Sequence, residues 1–173
     1  MADQTRTYRM QRRAESQEQT RLRITESAVA LHGTIGPSRT SISAVAAHAG
    51  VRRSTVYRHF PDEAALFDAC TAHWAATNPP PNLSTWSAIE SPDIRLEVAL
   101  AELHAFYHQT ETMLDNLFRD EATVPLVQER FAVLRAYFEA GRDTLMTGRK
   151  VRGAARIPLH RGDIRTNQFQ KWS

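Results

Sequence analysis

Seven side chains between Arg52 and His59 have the chemistry of anion recognition: Arg52, Arg53, Ser54, Thr55, Tyr57, Arg58 and His59. Arginine paired to guanine O6 and N7 is the commonest specific contact to a base edge. Hydroxyl, phenol and imidazole groups suit phosphate oxygens. A second candidate group is His104 and His108, which stand four apart and would share one helix face. Such a pair can chelate a metal. The stretch reads HAFYH, however, without the glutamate of H-E-x-x-H, and no third ligand follows at a useful spacing. Polar lining of a pocket, or surface histidine, fits it better. There is no glycine-rich phosphate loop, no G-x-S-x-G and no Cys/His pair with an orienting third group. The chain therefore reads as a non-enzyme without cofactor or metal. The rival from another class is a helical metal-binding enzyme using His104 and His108.

The elements that position the basic group lie between Ser41 and Phe60. Ser41 is placed to cap a first helix. Ile42, Val45, Ala46 and Ala49 recur at helical spacing and give it one apolar stripe. Gly50 stands where the chain must leave that helix, and glycine alone takes the left-handed conformation there cheaply. Val51 fills the corner. A second helix turns Val56 and Phe60 inward and leaves the seven polar side chains free. Cations at a helix N-terminal end oppose the macrodipole, so they cost stability unless something negative docks on them. Two readings stay open on spacing alone: a helix-turn-helix whose second helix enters a major groove, and a solvated basic helix of a small bundle.

The motif Val45-Ala46, Ala49-Gly50-Val51, Thr55-Val56-Tyr57-Arg58-His59-Phe60 resembles the DNA-binding signature of the tetracycline-repressor (TetR) family of transcriptional regulators. The likeness runs from roughly Arg23 to Cys70. Two positions depart from the broad family pattern: Arg52 stands where a capping serine is common, and Glu63 where a phosphate-binding lysine is common. The resemblance implies an all-α fold, with a three-helix DNA-binding bundle followed by a helical ligand-binding and dimerisation domain. It implies base contacts from Arg53, Ser54 and Thr55, and phosphate contacts from Tyr57 and His59. Arg52 and Arg58 add backbone charge, Ser43 could touch DNA, and Ser41 is primarily a cap. The implied partners are a palindromic double-stranded operator, a second copy of the chain and a small-molecule effector that releases a repressor from DNA.

Charge is sharply partitioned along the 173 residues, although the net value is only +3. Residues 1–60 hold ten arginines against four carboxylates, residues 61–148 five against fourteen, and residues 149–173 seven Lys and Arg against one Asp. A basic head on an acidic body suits a protein that meets a polyanion with one end. The single cysteine, Cys70, cannot form an internal disulfide, which points to a reducing cytoplasm. Cys70 itself reads as a buried helix residue. Residues 1–23 are polar and arginine-rich, unlike a signal peptide, and no apolar run is long enough to span a membrane.

Residues 1–17 read as a flexible basic arm in which Arg6, Arg9, Arg12 and Arg13 could lie along phosphates. Residues 18–60 form the DNA-binding unit, with a first helix from Glu18 to His32 ending at Gly33. Residues 61–77 form a linker helix with Asp62 as its cap. Asn78-Pro79-Pro80-Pro81-Asn82 then breaks the chain. In residues 78–148 the spacing predicts short helices over 84–89 and 112–119 and long ones over 92–109 and 124–147. Trp74, His104, Tyr107, His108 and Phe118 are candidates to line a site for an aromatic or lipophilic effector. Val127, Phe131, Leu134, Phe138 and Leu145 repeat at heptad-like spacing, either as core or as a homodimer face. Residues 149–173, with Gly153, Pro158 and Gly162, do not continue the pattern. This atypical tail is expected to weaken dimerisation.

Overall fold

The protein is described from a computed structural model that covers residues 2–149. Seven α-helices and no strand occur among the described residues: α1 (Ala2–Thr34), α2 (Ile42–His48), α3 (Arg53–His59), α4 (Glu63–Thr77), α5 (Leu83–Ser87), α6 (Pro92–Asp120) and α7 (Pro125–Met146). The all-α expectation holds. The tail beyond Arg149 lies outside the described residues, as does the side chain of Arg6.

Two helices are longer than the residue pattern suggests. Residues 2–17 are continuous with α1 and do not form a separate irregular arm. No Gly or Pro occurs before Gly33, so nothing in the chain stops a helix once the bundle has nucleated it. Even Gly33 is passed. The helix ends at Thr34, where Asn116 Nδ2 donates to the free carbonyls of His32 (3.0 Å) and Gly33 (2.8 Å). In the same way, the separate helices expected over 92–109 and 112–119 are one element, α6. The polar run around Thr110 looks like a break, but Thr110 is buried and its hydroxyl donates to the Phe106 carbonyl at 2.6 Å. The helix thus satisfies this side chain internally, and no solvent-facing turn is needed.

The head forms around Ile24 and Ala28 of α1, Val45 and Ala46 of α2 with its C-cap Ala49, Val56 of α3 with its C-cap Phe60, and Leu66 and Cys70 of α4. Because α4 supplies part of this core, it is a structural member of the head as well as a link. Phe67, on the adjoining face of α4, packs with Val127 and Phe131 of α7 and so joins head to body. Val127 and Phe131 are 0% and 5% exposed. The homodimer expectation for these two is corrected: a side chain already sealed within its own subunit has no area left to bury against a partner. Leu134, Phe138 and Leu145 are only partly exposed on the same seam.

Arg95 is an organiser that the hydrophobic pattern does not reveal. It is 5% exposed, and its guanidinium donates to the carbonyls of Ile89 (2.7 and 3.0 Å), Thr144 (3.1 Å) and Thr147 (2.7 Å). The last two acceptors lie at the end of α7, where the helix dipole favours a cation.

Candidate functional site

Local rules build the helix-turn-helix. The Ser41 side chain accepts from the Ala44 amide at 3.2 Å and starts α2. At the other end Gly50 has φ 64°, the Val51 amide donates to Ala46 O (2.9 Å) and the Gly50 amide to Ala47 O (3.2 Å). This double closure is a Schellman motif. It turns the chain so that α3 begins one residue after Arg52, which occupies the N-cap without a side-chain cap bond. The departure from the family's capping serine is therefore real, and it leaves the guanidinium exposed. The next cap is Asp62, whose carboxylate accepts from Ala65 N at 2.7 Å. Glu63 is exposed in the first turn of α4.

Burial of Val56 (0% exposed) and Phe60 (1%) fixes the rotation of α3. As a direct result Arg52, Arg53, Ser54, Tyr57 and Arg58 are exposed, and Thr55 is partly so. Ser41 and Ser43 are exposed at the start of α2 beside them. Arg53 Nη2 lies 3.4 Å from the Tyr57 hydroxyl, with its guanidinium over the Tyr57 ring at 5.9 Å. The two side chains, one turn apart, thus share a single face. Arg21 of α1 holds the far end of α3: it donates to His59 O at 2.8 Å and lies over the Phe60 ring at 4.3 Å.

His59 departs from its expected role. Its Nε2 is buried without a hydrogen-bond partner, so that nitrogen is not presented to a phosphate. Burial lowers its pKa, and the nearby charges of Arg58 and Arg21 lower it further against the opposing pull of Glu18.

Beside the head, α1, α4, α6 and α7 line an apolar cavity of about 300 Å³ that is open to solvent on one side. Trp74 lines it together with Phe67, Phe106, Leu114, Phe131 and Tyr137. His104, Tyr107, His108 and Phe118 do not reach this cavity. His104 and His108 stack at 6.4 Å on the exposed side of α6, Tyr107 stacks on Phe138, and Phe118 is half exposed. Among the described residues no group of three or more His, Cys, Asp or Glu is arranged to hold a metal ion.

The cavity also contains polar residues that the sequence reading left out. His32 stands 3.5 Å from Cys70 Sγ through its Nδ1. Burial lowers the His32 pKa to about 4, partly opposed by Asp120, and raises the Cys70 thiol to about 12. Both are therefore neutral at pH 7. Arg130, near the cavity wall, is paired with Asp68 at 2.5 Å.

The turn of α6 next to the cavity residues Met113, Leu114 and Leu117 grips the head. Asn116 caps α1, Arg119 Nη2 donates to Ile35 O at 3.2 Å, and the Ser38 amide donates to Asp120 Oδ2 at 2.9 Å. Gly36 is the close approach in this junction. Its φ is 88°, and a Cβ there would fall 2.6 Å from Asp120 Oδ2. Burial alone would raise the Asp120 pKa, but hydrogen bonds from Arg119 and Ser38, with the Arg119 charge, bring it below the usual carboxylate value.

A short, half-buried helix presenting two arginines, hydroxyls and a phenol, set behind a capped helix and a Schellman turn, is the reading head of a helix-turn-helix DNA-binding protein. Residues 24–70 match the family of bacterial regulatory proteins, tetR family. The matched segment is the helix-turn-helix head with the start of the next helix, and it supports a DNA-binding transcriptional regulator. No curated relative matches the chain. No helix among the described residues is long and apolar enough to cross a membrane.

Proposed function

We propose that the protein is a cytoplasmic repressor that binds a palindromic operator as a homodimer and is released by a lipophilic small molecule. The observation that carries the reading is the pairing of an exposed α3 face with an apolar cavity one helical turn from the head junction. Arg53, Ser54 and Thr55 meet base edges, while Tyr57, Arg58 and Arg52 hold phosphates. An effector occupying the cavity would displace α6, and Asn116, Arg119 and Asp120 would carry that displacement to Gly36–Ser38, directly ahead of Ser41. The effector is uncharged. His32 is neutral and Arg130 is already paired, so no free charge in the wall offsets burial of an ionic ligand. The dimer uses a surface other than Val127 and Phe131, which are internal.

Selection of bound fragments from a random duplex pool tests the whole reading. An enriched inverted repeat with half-sites about one helical turn, ~34–36 Å, apart supports a two-fold dimer on an operator. Enrichment of a single half-site, with sedimentation as a monomer at micromolar concentration, would remove the dimer and leave the DNA reading standing.

A further inference from the structure

Residues 8–19 of α1 lie outside the core of the head. Residues 7–19 are exposed along their whole length, while α1 enters the core only from Ile24 onward. A helix of this length standing free in water is marginal by itself. Arg9, Arg12 and Arg13 are spaced three and four apart, so they crowd one face. Among the described residues no carboxylate forms an ion pair with any of the three, and Arg12 lies over the Tyr8 ring at 5.9 Å. Like charges at i, i+4 repel, and cations near a helix N-terminus oppose its dipole. The free protein therefore bears an electrostatic cost that a polyanion would relieve.

Its position suggests which polyanion. The bond from Arg21 to His59 O pins α1 against the end of α3. From Arg21, Arg13 is eight residues along the helix and Arg9 twelve, or about 12 and 18 Å at 1.5 Å per residue. With ~3.4 Å of duplex per base pair, that reach spans about four or five base pairs outside the segment read by α3. We propose that the α1 extension is a second, sequence-independent DNA contact, in which Arg9, Arg12 and Arg13 neutralise phosphates of the duplex flanking the half-site. The proposal rests on the DNA-binding reading of α3 and adds an outer contact to it.

The test uses the full chain and a variant carrying Arg9→Gln, Arg12→Gln and Arg13→Gln. Glutamine keeps helix propensity, and none of the three side chains reaches the core, so the circular dichroism spectrum and melting temperature stay unchanged. Binding is measured across a salt series on the selected duplex, an unrelated duplex, and the selected duplex trimmed by six base pairs at each flank. Each phosphate contact contributes about 0.9 to the slope of log K against log salt. The variant is expected to lose about 2–3 from that slope and to weaken equally, on the order of tenfold, on both full-length duplexes. It should no longer distinguish trimmed from untrimmed DNA. Base preference should not move.

An unchanged slope and an unchanged response to trimming would overturn the proposal. So would a loss confined to binding of phosphatidylserine vesicles, which would assign the arginines to a membrane surface. Failure of the α3 reading looks different: the wild-type chain would then select no sequence, whatever the arm does.

Discussion

Arg53 and Tyr57 sit one turn apart on the exposed face of α3, and their roles separate by chemistry. An arginine reading guanine contributes roughly 1–3 kcal/mol of discrimination, so Arg53→Ala should weaken the selected site by that amount and relax one base position. Tyr57→Phe should weaken selected and unrelated duplexes alike, because a phosphate contact carries no base information. Competition binding against single-position operator variants measures both. Gly50 offers a cleaner backbone test. A Cβ there would meet no atom within 4 Å, while its φ is 64°. Gly50→Ala should therefore cost about 1–2 kcal/mol from the left-handed conformation alone, read from urea denaturation. His32 makes folding pH-dependent. Its folded pKa of about 4 lies below the unfolded 6.5, so the unfolded chain binds more protons between those values. Stability is complete above pH 6.5 and falls as pH drops toward 4, by an amount on the order of 3 kcal/mol. Replacing His32 with Phe, next to Phe67 at 5.4 Å, should flatten that part of the acid limb.

At the scale of elements, the head was legible because each of its signals is local. Ser41, Gly50 and Asp62 act within four residues of themselves, and the inward pair Val56 and Phe60 fixes the rotation of α3. The body was less legible because its decisive contacts are long-range. Nothing near Thr110 states that it will be buried, so α6 reads as two helices when it is one. Periodicity marks Val127 and Phe131 as apolar but cannot say whether their own chain or a partner covers them. Likewise the aromatic and histidine content of α6 suggests a ligand wall, yet His104, Tyr107, His108 and Phe118 lie away from the cavity while Phe106 and Met113 line it. Arg95 carries the same lesson with a measurable consequence. Its removal would take the guanidinium donor from the part-buried Ile89 carbonyl and untie the end of α7, so Arg95→Ala should cost about 1–3 kcal/mol. Arg95→Lys should restore only part of it, since one ammonium cannot reproduce the guanidinium fork.

Across the whole molecule, charge changes sign just after α3, ahead of α4, which completes the head core. The basic head ends near Phe60, and the acidic body begins with Asp62 and Glu63. The acidic residues 61–148 repel DNA, which favours approach of a duplex to the end bearing α3. The cavity is walled by both parts, which places any occupant between the reading head and the helices that hold it. The claim under the greatest load is that α3 reads bases. Selection from a random duplex pool should be run in parallel with the wild-type chain and with Arg53→Ala at one fixed salt concentration. The account predicts a guanine-containing motif for the wild type and loss of preference at that guanine for the variant. The same motif at the same strength from both proteins, or no enrichment from the wild type, would contradict it.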